Sequence, residues 1–417
     1  MANRGVSPAK LWMKKIMPET TKAVNPSDLP LAGLRVIEFC HVVMGPSCGL
    51  VLSELGADVI KVEPAPAGDR TRKLRGHIAG SFVYFNRSKR SIGLDLKSKA
   101  GREIAHKLLK TADVLIENFG PGTADKLGVG WAEVSKLNPR LIYCALKGYL
   151  PGPYEKWAAL DELVQFSTGL AYMTGPPGQP LRAGSSVIDI MGGTFGAVGI
   201  LAALHKRNVT GKGELITSAL YESSAYLVGQ HMAGEVQMGV ASQPMPVRPR
   251  SWGIYDVFKS KDDKEIFIGV TSDKQWDSFC DLYGREDLHS MEKFDTNEKR
   301  RENHDELYDI LQQEFIQYDY EPLQKMLVDH AIPASPVAVP GDLFEDPQMN
   351  ADDRMSSTEF VDGRVAKLPR LPITVGDGKA RMAGQVPEFA EDTDSILSEL
   401  GISENDIASL RNKGHIM

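Results

Sequence analysis

From residue 33 onward, short β-branched runs alternate with longer amphipathic ones, and this limits the fold more than any other feature of the chain. "LRVIEFCH" (34–41), "ADVIKVE" (57–63), "DVLIENF" (113–119) and "RLIYCALKGY" (140–149) read as strands. Between them, "SCGLVLSELG" (47–56, closed by Gly56), "KAGREIAHKLLKTA" (99–112) and "ADKLGVGWAEVSKLN" (124–138) read as helices. A further helix runs from Gly192 to His205, and "GELITSALYESSAYLV" (213–228) is a strand passing into a helix. Strands joined by helical crossovers pair in parallel, so the fold class is α/β with a large Rossmann-like parallel sheet.

The rhythm then changes. "YDVFKSKDDKEIFIGV" (255–270) reads as a hairpin with a charged turn, followed by helices near 273–284, 302–317 and 320–330. "AIPASPVAVPGDLFEDP" (331–347) is punctuated by proline and reads as an extended linker. Near the end, "SENDIASLRNKG" (403–414) carries a Ser403–Asp406 capping pair and a closing Gly414. The organisation is an N-terminal arm (1–28), a large domain (29–225), a smaller α+β domain with linkers (226–339) and a return to the large domain (340–417).

With 417 residues the chain is long enough for two domains. A net charge of −7 gives no reason to expect nucleic acid or a membrane surface as partner. No run of eighteen apolar residues is free of charge, and the basic, polar N-terminus lacks the apolar core of a secretory signal, so the expected location is the cytoplasm. Cys40, Cys48, Cys144 and Cys280 have no metal-type spacing, and the first three lie in or beside apolar runs as small core residues of a reduced compartment.

A parallel sheet invites a nucleotide, but the first strand–helix junction, "FCHVVMGPSCG", has no G-x-G-x-x-G, and Pro46 sits at the helix start. The P-loop pattern, the G-x-S-x-G elbow and H-E-x-x-H are all absent. Dehydrogenase, P-loop NTPase, serine hydrolase and zinc enzyme each lose their strongest signal, and no metal site is expected.

What remains is a carboxylate. In "SSVIDIMGGTFGAVGILAAL" (185–204), Asp189 stands alone at the mouth of an apolar, glycine-rich helix. The ordinary reading of such an aspartate is a helix cap. The other is a nucleophile kept ionised by the helix N-terminus, with Gly192 and Gly193 making room for an acyl group and backbone N–H groups ready to hold an oxyanion. Asp161, in "AALDELVQFSTGLAYMTG", stands before an apolar helix in the same way, and its local chemistry again allows a cap.

Five ordered blocks now bear on the choice. "LAGLRVIEFCHVVMGPSCGLVLSELGADVIKVEPAPAGDRTR" (31–72) resembles the opening of the class III CoA-transferases, the family of formyl-CoA transferase and carnitine CoA-transferase. "FNRSKRSIGLDLKSKAGREI" (85–104), "DVLIENFGPGTADKLGVGW" (113–131), "NPRLIYCALKGYLPGPY" (138–154) and "GILAALHKRNVTGKGELITSALYES" (199–223) continue the likeness in order. It runs from about residue 30 to the C-terminus.

The resemblance implies that Asp189 is the nucleophile and that Asp161 supports it. It implies aspartyl anhydride and aspartyl-CoA thioester intermediates. Coenzyme A would enter as the acyl-CoA substrate rather than as a permanent cofactor, and the large domain would bind it. Val43 and Met44 would line the thioester end, while Leu94, Lys97, Asn118, Phe119 and Lys126 would contact the adenine and phosphate portions. Without that context Lys97 and Lys126 read as ordinary solvated lysines. The family also implies an interlocked homodimer.

Two rivals remain. The 2-methylacyl-CoA racemases share the fold but place a histidine directly before the acidic position matched by Asp161, where this chain has Leu160. A non-catalytic CoA-binding protein would leave Asp189 without a role. The expected reaction is CoA transfer from a donor such as succinyl-CoA to a small carboxylate, preferably a dicarboxylate. Formyl-CoA transferases carry glutamine where Val43 stands, and a glycine-rich lid where "SQPMPVRPRSWGIYDVF" (242–258) has one glycine. Arg182 is the candidate for the second carboxylate of the acceptor, with Arg248 and Arg250 as alternatives.

Overall fold

The computed structural model describes residues 28–352, 354–360, 363–375 and 384–417. The N-terminal arm, except for Asp28, lies outside them. Six parallel strands form the main sheet: β1 (Arg35–Phe39), β2 (Asp58–Pro64), β3 (Arg90–Leu94), β4 (Val114–Glu117), β5 (Ile142–Lys147) and β6 (Leu215–Ala219). Their order is β3-β2-β1-β4-β5-β6. The winding reverses between β1 and β4, and in an open parallel sheet the crevice for a ligand lies at the carboxyl ends of such strands.

The crossovers are helical: α1 (Met44–Glu54), α2 (Ser81–Asn86), α3 (Lys99–Thr111), α4 (Thr123–Lys126), α5 (Trp131–Leu137), α6 (Asp161–Ser167), α7 (Leu170–Thr174) and α8 (Val187–Thr210); α9 (Leu220–Met238) follows β6. One face of the sheet buries Ile37, Ile60, Ile92, Leu115 and Tyr143 against α3 and α5. The other buries Val36, Val59, Ile116 and Cys144 against α1 and α8. Strands covered on both faces carry near-continuous apolar runs, as the sequence does.

The tightest packing is between α1 and α8. A methyl on Gly193 would strike the Met44 carbonyl and the Ser47 hydroxyl, and one on Gly196 would meet Leu146, Cys48 and Cys144. Gly192 and Gly193 are therefore buried spacers between helices, not an opening for an acyl group as their sequence first implies. Among the described residues α8 alone combines the length and apolarity of a membrane span. Its Ile188, Ala197, Ile200 and Leu204 are buried in the core shared with α1 and the sheet.

The chain divides into two compact units, one running up to Pro246 and again from Pro347 to Met417, the other Val247–Asp346. The sequence placed the first boundary about twenty residues earlier, inside what is one continuous helix: α9 packs on α6, α7 and α8 and stays with the large unit. The small unit holds a three-stranded antiparallel sheet, β7 (Ile254–Lys259), β8 (Glu265–Val270) and β9 (Ala334–Pro336). Five helices complete it, namely α10 (Asp273–Leu282), α11 (Glu286–Ser290), α12 (Asn297–Glu302), α13 (His304–Phe315) and α14 (Tyr320–Asp329). Its core gathers Phe258, Ile268, Trp276, Phe279, Phe315 and Leu327. The linker read at 331–347 thus contains a strand, β9, paired with β8 through Ile268 and Ala334.

The returning chain adds a hairpin, β10 (Met355–Glu359) with β11 (Val365–Pro369), then α15 (Thr393–Glu399) and α16 (Glu404–Asn412). Ser403 Oγ accepts from the Asp406 N–H at 3.2 Å, the cap read from the sequence. The C-terminal segment covers the open edge of the sheet: Asp95 N–H donates to the His415 carbonyl and Met417 N–H to the Gly93 carbonyl. An edge strand covered in this way offers no free ladder to another chain.

The close crossing gives a testable ordering. Gly193→Ala places its methyl against backbone and should cost about 2–4 kcal/mol of stability. Gly192→Ala meets mainly the flexible end of Met44 and should cost less. Urea unfolding of the two variants checks the order.

Candidate functional site

Asp189 is the third residue of α8, so the helix begins five residues earlier than its glycine pair implied, and Asp189 is not its cap. The N-cap, Ser186, makes no side-chain capping bond. The capping carboxylate comes from elsewhere in the chain. Asp161, the first residue of α6, accepts with Oδ2 from the N–H groups of Ile188 (3.0 Å) and Asp189 (3.1 Å). Its other oxygen accepts from Gln165 Nε2 at 2.7 Å.

Val187 N–H donates to the Ser185 carbonyl and Ile190 N–H to that of Ser186. The first four N–H groups of α8 are therefore all engaged. The oxyanion site expected at this helix mouth is not available there, because capping has consumed its donors.

Gln165 is fully buried and extends the network: its Oε1 accepts from Ala183 N–H at 2.9 Å. The Ala183 carbonyl in turn accepts from Arg182 Nε at 3.0 Å, and Arg182 Nη1 reaches Glu162 at 3.4 Å. Asp161, about twenty residues before Arg182, thus joins Arg182 and Asp189 in one cluster. Gln165 is the member that sequence reading missed, although its i, i+4 spacing from Asp161 puts both on one helix face.

The Asp189 carboxylate is half-buried, and no side-chain hydrogen bond among the described residues holds it. Burial first, and the neighbouring Asp161 charge second, push its pKa up to about 7, against a smaller downward pull from Arg182. The helix N-terminus was expected to keep this group ionised. In the structure, desolvation and like charge outweigh it.

The loop from β1 to α1 lies beside this cluster. Val42 and Ile190, the residue after Asp189, pack against the buried group of Val43, Leu50 and Phe85. Met44 lies against Gly192. Val42 is left-handed, with φ of 64°, which for a β-branched residue costs about 1–3 kcal/mol and persists only where its surroundings impose it.

The remaining candidates sit at the carboxyl edge of the sheet in unequal settings. Leu94 ends β3 with its side chain fully buried in the core. Asn118 turns its amide to the first loop, accepting from His41 N–H (3.0 Å) and donating to the His41 carbonyl (2.8 Å). Phe119 is half-buried, its ring centroid 6.3 Å from that of Phe39. Lys97 and Lys126 are exposed. Arg250, an alternative for the acceptor, is paired with Asp256 at 2.6 Å within the small unit. Among the described residues no cluster of three or more His, Cys, Asp or Glu side chains could hold a metal ion.

This geometry can be set beside known proteins. Residues 31–393 match CoA-transferase family III. A succinate–glutarate CoA-transferase of Agrobacterium fabrum is 33% identical over 89% of this chain and 96% of its own length. A formyl-CoA:oxalate CoA-transferase of Rhodopseudomonas palustris is 30% identical over 92% of this chain and 96% of its own. The crystal structure of a CAIB/BAIF family protein from Brucella suis superposes with a TM-score of 0.79 at 32% identity, covering 89% of this chain and 99% of that one. With a family match across most of its length, relatives of that name and a shared fold, the chain belongs to CoA-transferase family III and is a CoA-transferase.

Proposed function

We propose that this enzyme moves CoA from an acyl-CoA such as succinyl-CoA to a small dicarboxylate, with Asp189 as nucleophile. The observation that carries the reading is the Asp189 carboxylate itself. It stands half-buried at the carboxyl edge of the sheet with no hydrogen-bond donor among the described residues, on a helix start that Asp161 fixes.

An Asp189 oxygen attacks the thioester carbonyl, and the C–S bond breaks to give a mixed anhydride and CoA thiolate. The thiolate attacks the aspartyl carbonyl, the donor carboxylate leaves, and an aspartyl-CoA thioester remains. The acceptor carboxylate repeats the exchange in reverse and departs as its CoA ester, regenerating Asp189. No net proton is consumed, and several acyl transfers replace one difficult step.

Val43 and Met44 adjoin the nucleophile's helix and would border the thioester end. Lys97 and Lys126 supply exposed positive charge for the phosphates. The dicarboxylate preference rests on Arg182, whose guanidinium acts on Asp189 electrostatically and is held by the Ala183 carbonyl and the exposed Glu162. Leu160, 70% exposed and apolar, precedes Asp161 and offers no second base for racemisation.

A homodimer is part of the same proposal. In the single chain, Leu163 and Phe166 on α6, Val198 on α8 and Tyr226, Met232 and Val236 on α9 are exposed. Neighbouring helices of the large unit thus leave apolar side chains that a second copy would cover. Light scattering at micromolar concentration should give twice the chain mass, and a stable monomer would refute the dimer.

The mechanism is tested by incubating the enzyme with a panel of acyl-CoA and carboxylate pairs and detecting products by mass spectrometry. Asp189→Asn should abolish exchange while remaining folded, and hydroxylamine should trap a derivative at Asp189 in the wild type only. Near wild-type transfer by the Asn variant would rule the mechanism out. Arg182→Ala should raise KM for dicarboxylates far more than for monocarboxylates of equal length. If formate and oxalate outcompete every other acceptor, the acceptor assignment fails and the nucleophile stands.

Because the nucleophile must be ionised and its pKa is raised to about 7, kcat/KM should climb with pH through that value and level off above it. Asp161→Asn removes the neighbouring negative charge, so the limb should move to lower pH. A profile flat from pH 5 to 8 would contradict this.

A further inference from the structure

The loop between β1 and α1, together with the first turn of α1, is held by side chains from four other segments. Lys61 Nζ donates to the Cys40 carbonyl at 2.7 Å, and Asn118 engages both backbone groups of His41. Thr71 Oγ1 accepts from Val42 N–H at 3.0 Å. Lys89 Nζ donates to the Pro46 carbonyl at 3.0 Å.

These holders are themselves connected. The Thr71 hydroxyl donates to Asp69 Oδ1 at 2.7 Å, and Asp69 Oδ2 lies 2.9 Å from Lys61 Nζ. Lys61 is 3.6 Å from Glu38, whose other oxygen accepts from Lys89 Nζ at 2.7 Å. Glu38 and Lys61 are fully buried, Asp69 and Lys89 nearly so. Gly49 on α1 has no side chain where the Glu38–Lys89 pair lies. Burial opposes the charge of both lysines. The carboxylates around Lys61 outweigh that and raise its pKa, while for Lys89 burial prevails and lowers it.

Thr71 is where this buried chain of charges reaches the strained residue. Its hydroxyl accepts the N–H of the left-handed Val42, and Asp69 fixes that hydroxyl by accepting its proton. We propose that Thr71 is a positioning residue for CoA transfer, holding Val42 left-handed so that Val42 and Val43 stay packed with Ile190 beside the nucleophile. The proposal rests on Asp189 being that nucleophile. Without the hydroxyl, Val42 loses its acceptor and the loop relaxes toward ordinary backbone angles. The wall beside Asp189 then shifts, and the thioester is held off its line of attack.

The test compares Thr71→Val, which keeps the shape and removes the hydroxyl, with Thr71→Ser, which restores it. Thr71→Val should lower kcat and the rate of hydroxylamine-trappable adduct formation by about 10- to 100-fold, since a displacement near 1 Å has that effect. KM for the acyl-CoA should change little, and Thr71→Ser should recover most of the rate. Asp69→Asn, which weakens the hold on the hydroxyl, should show the same kcat-over-KM pattern more mildly, and it serves if Thr71→Val does not fold. Thermal unfolding is followed in parallel. If Thr71→Val melts earlier but keeps kcat within about twofold, or Thr71→Ser is as slow as Thr71→Val, the positioning role is overturned. If the wild type forms no adduct while still transferring CoA, the failure lies with the nucleophile assignment instead.

Discussion

The arrangement depends on α1 and α8 meeting backbone to backbone. Gly193 and Gly196 let α8 approach α1 and the sheet more closely than any side chain would allow. That approach brings the first turn of α8 to the carboxyl edge beside the β1–α1 loop, at the point where the winding of the sheet reverses. A methyl on this seam would push α1 and α8 apart and displace the first turn of α8. The small residues are therefore structural first, and they serve chemistry by fixing where Asp189 arrives.

The second constraint is electrostatic. Two carboxylates, Asp161 and Asp189, lie within reach of each other, and the network treats them differently. Asp161 accepts three hydrogen bonds, two of them from the backbone of the other's helix. Asp189 accepts none among the described residues, and burial with a like charge beside it raises its pKa. Capping by a neighbour frees Asp189 from the structural work that aspartates at helix starts usually perform. It also places a negative charge nearby that makes Asp189 more basic than an exposed carboxylate. Placing paired acids in unlike environments is a general way to divide their roles.

Much of the large unit was legible in the sequence, for a physical reason. Strands buried on both faces spell long β-branched runs, and "RVIEF", "DVIKVE" and "IYCALK" do so almost without interruption. What was hidden depends on contacts between distant segments. The glycines of α8 look alike whether they admit a ligand or a helix, and only α1 decides between them. Asp161 and Asp189 each resemble a cap of their own helix, and the cross-capping exists only once α6 and α8 meet. Strand β9 sits in a proline-punctuated stretch because an edge strand tolerates proline. Likewise α9 passes through the expected domain boundary, since its packing on α8 leaves no local mark.

One sequence signal was visible and went unread. Glu38 and Lys61 stand among buried apolar neighbours in β1 and β2, and Lys89 directly precedes β3. Buried charges rarely favour stability, because well-packed apolar side chains of similar size commonly serve as well or better. A stability argument therefore does not account for Glu38, Lys61, Asp69 and Lys89 clustered beneath α1. What apolar residues could not do is bond the Cys40 carbonyl in the loop and the Pro46 carbonyl in the first turn of α1, and orient the hydroxyl that receives Val42 N–H. The cluster makes sense as geometry: ion pairing outweighs desolvation at Lys61 though not at Lys89, and the cluster ties down the loop that carries the strained Val42. Charges inside a strand run of a parallel α/β chain thus point to what the strand's carboxyl end must hold still.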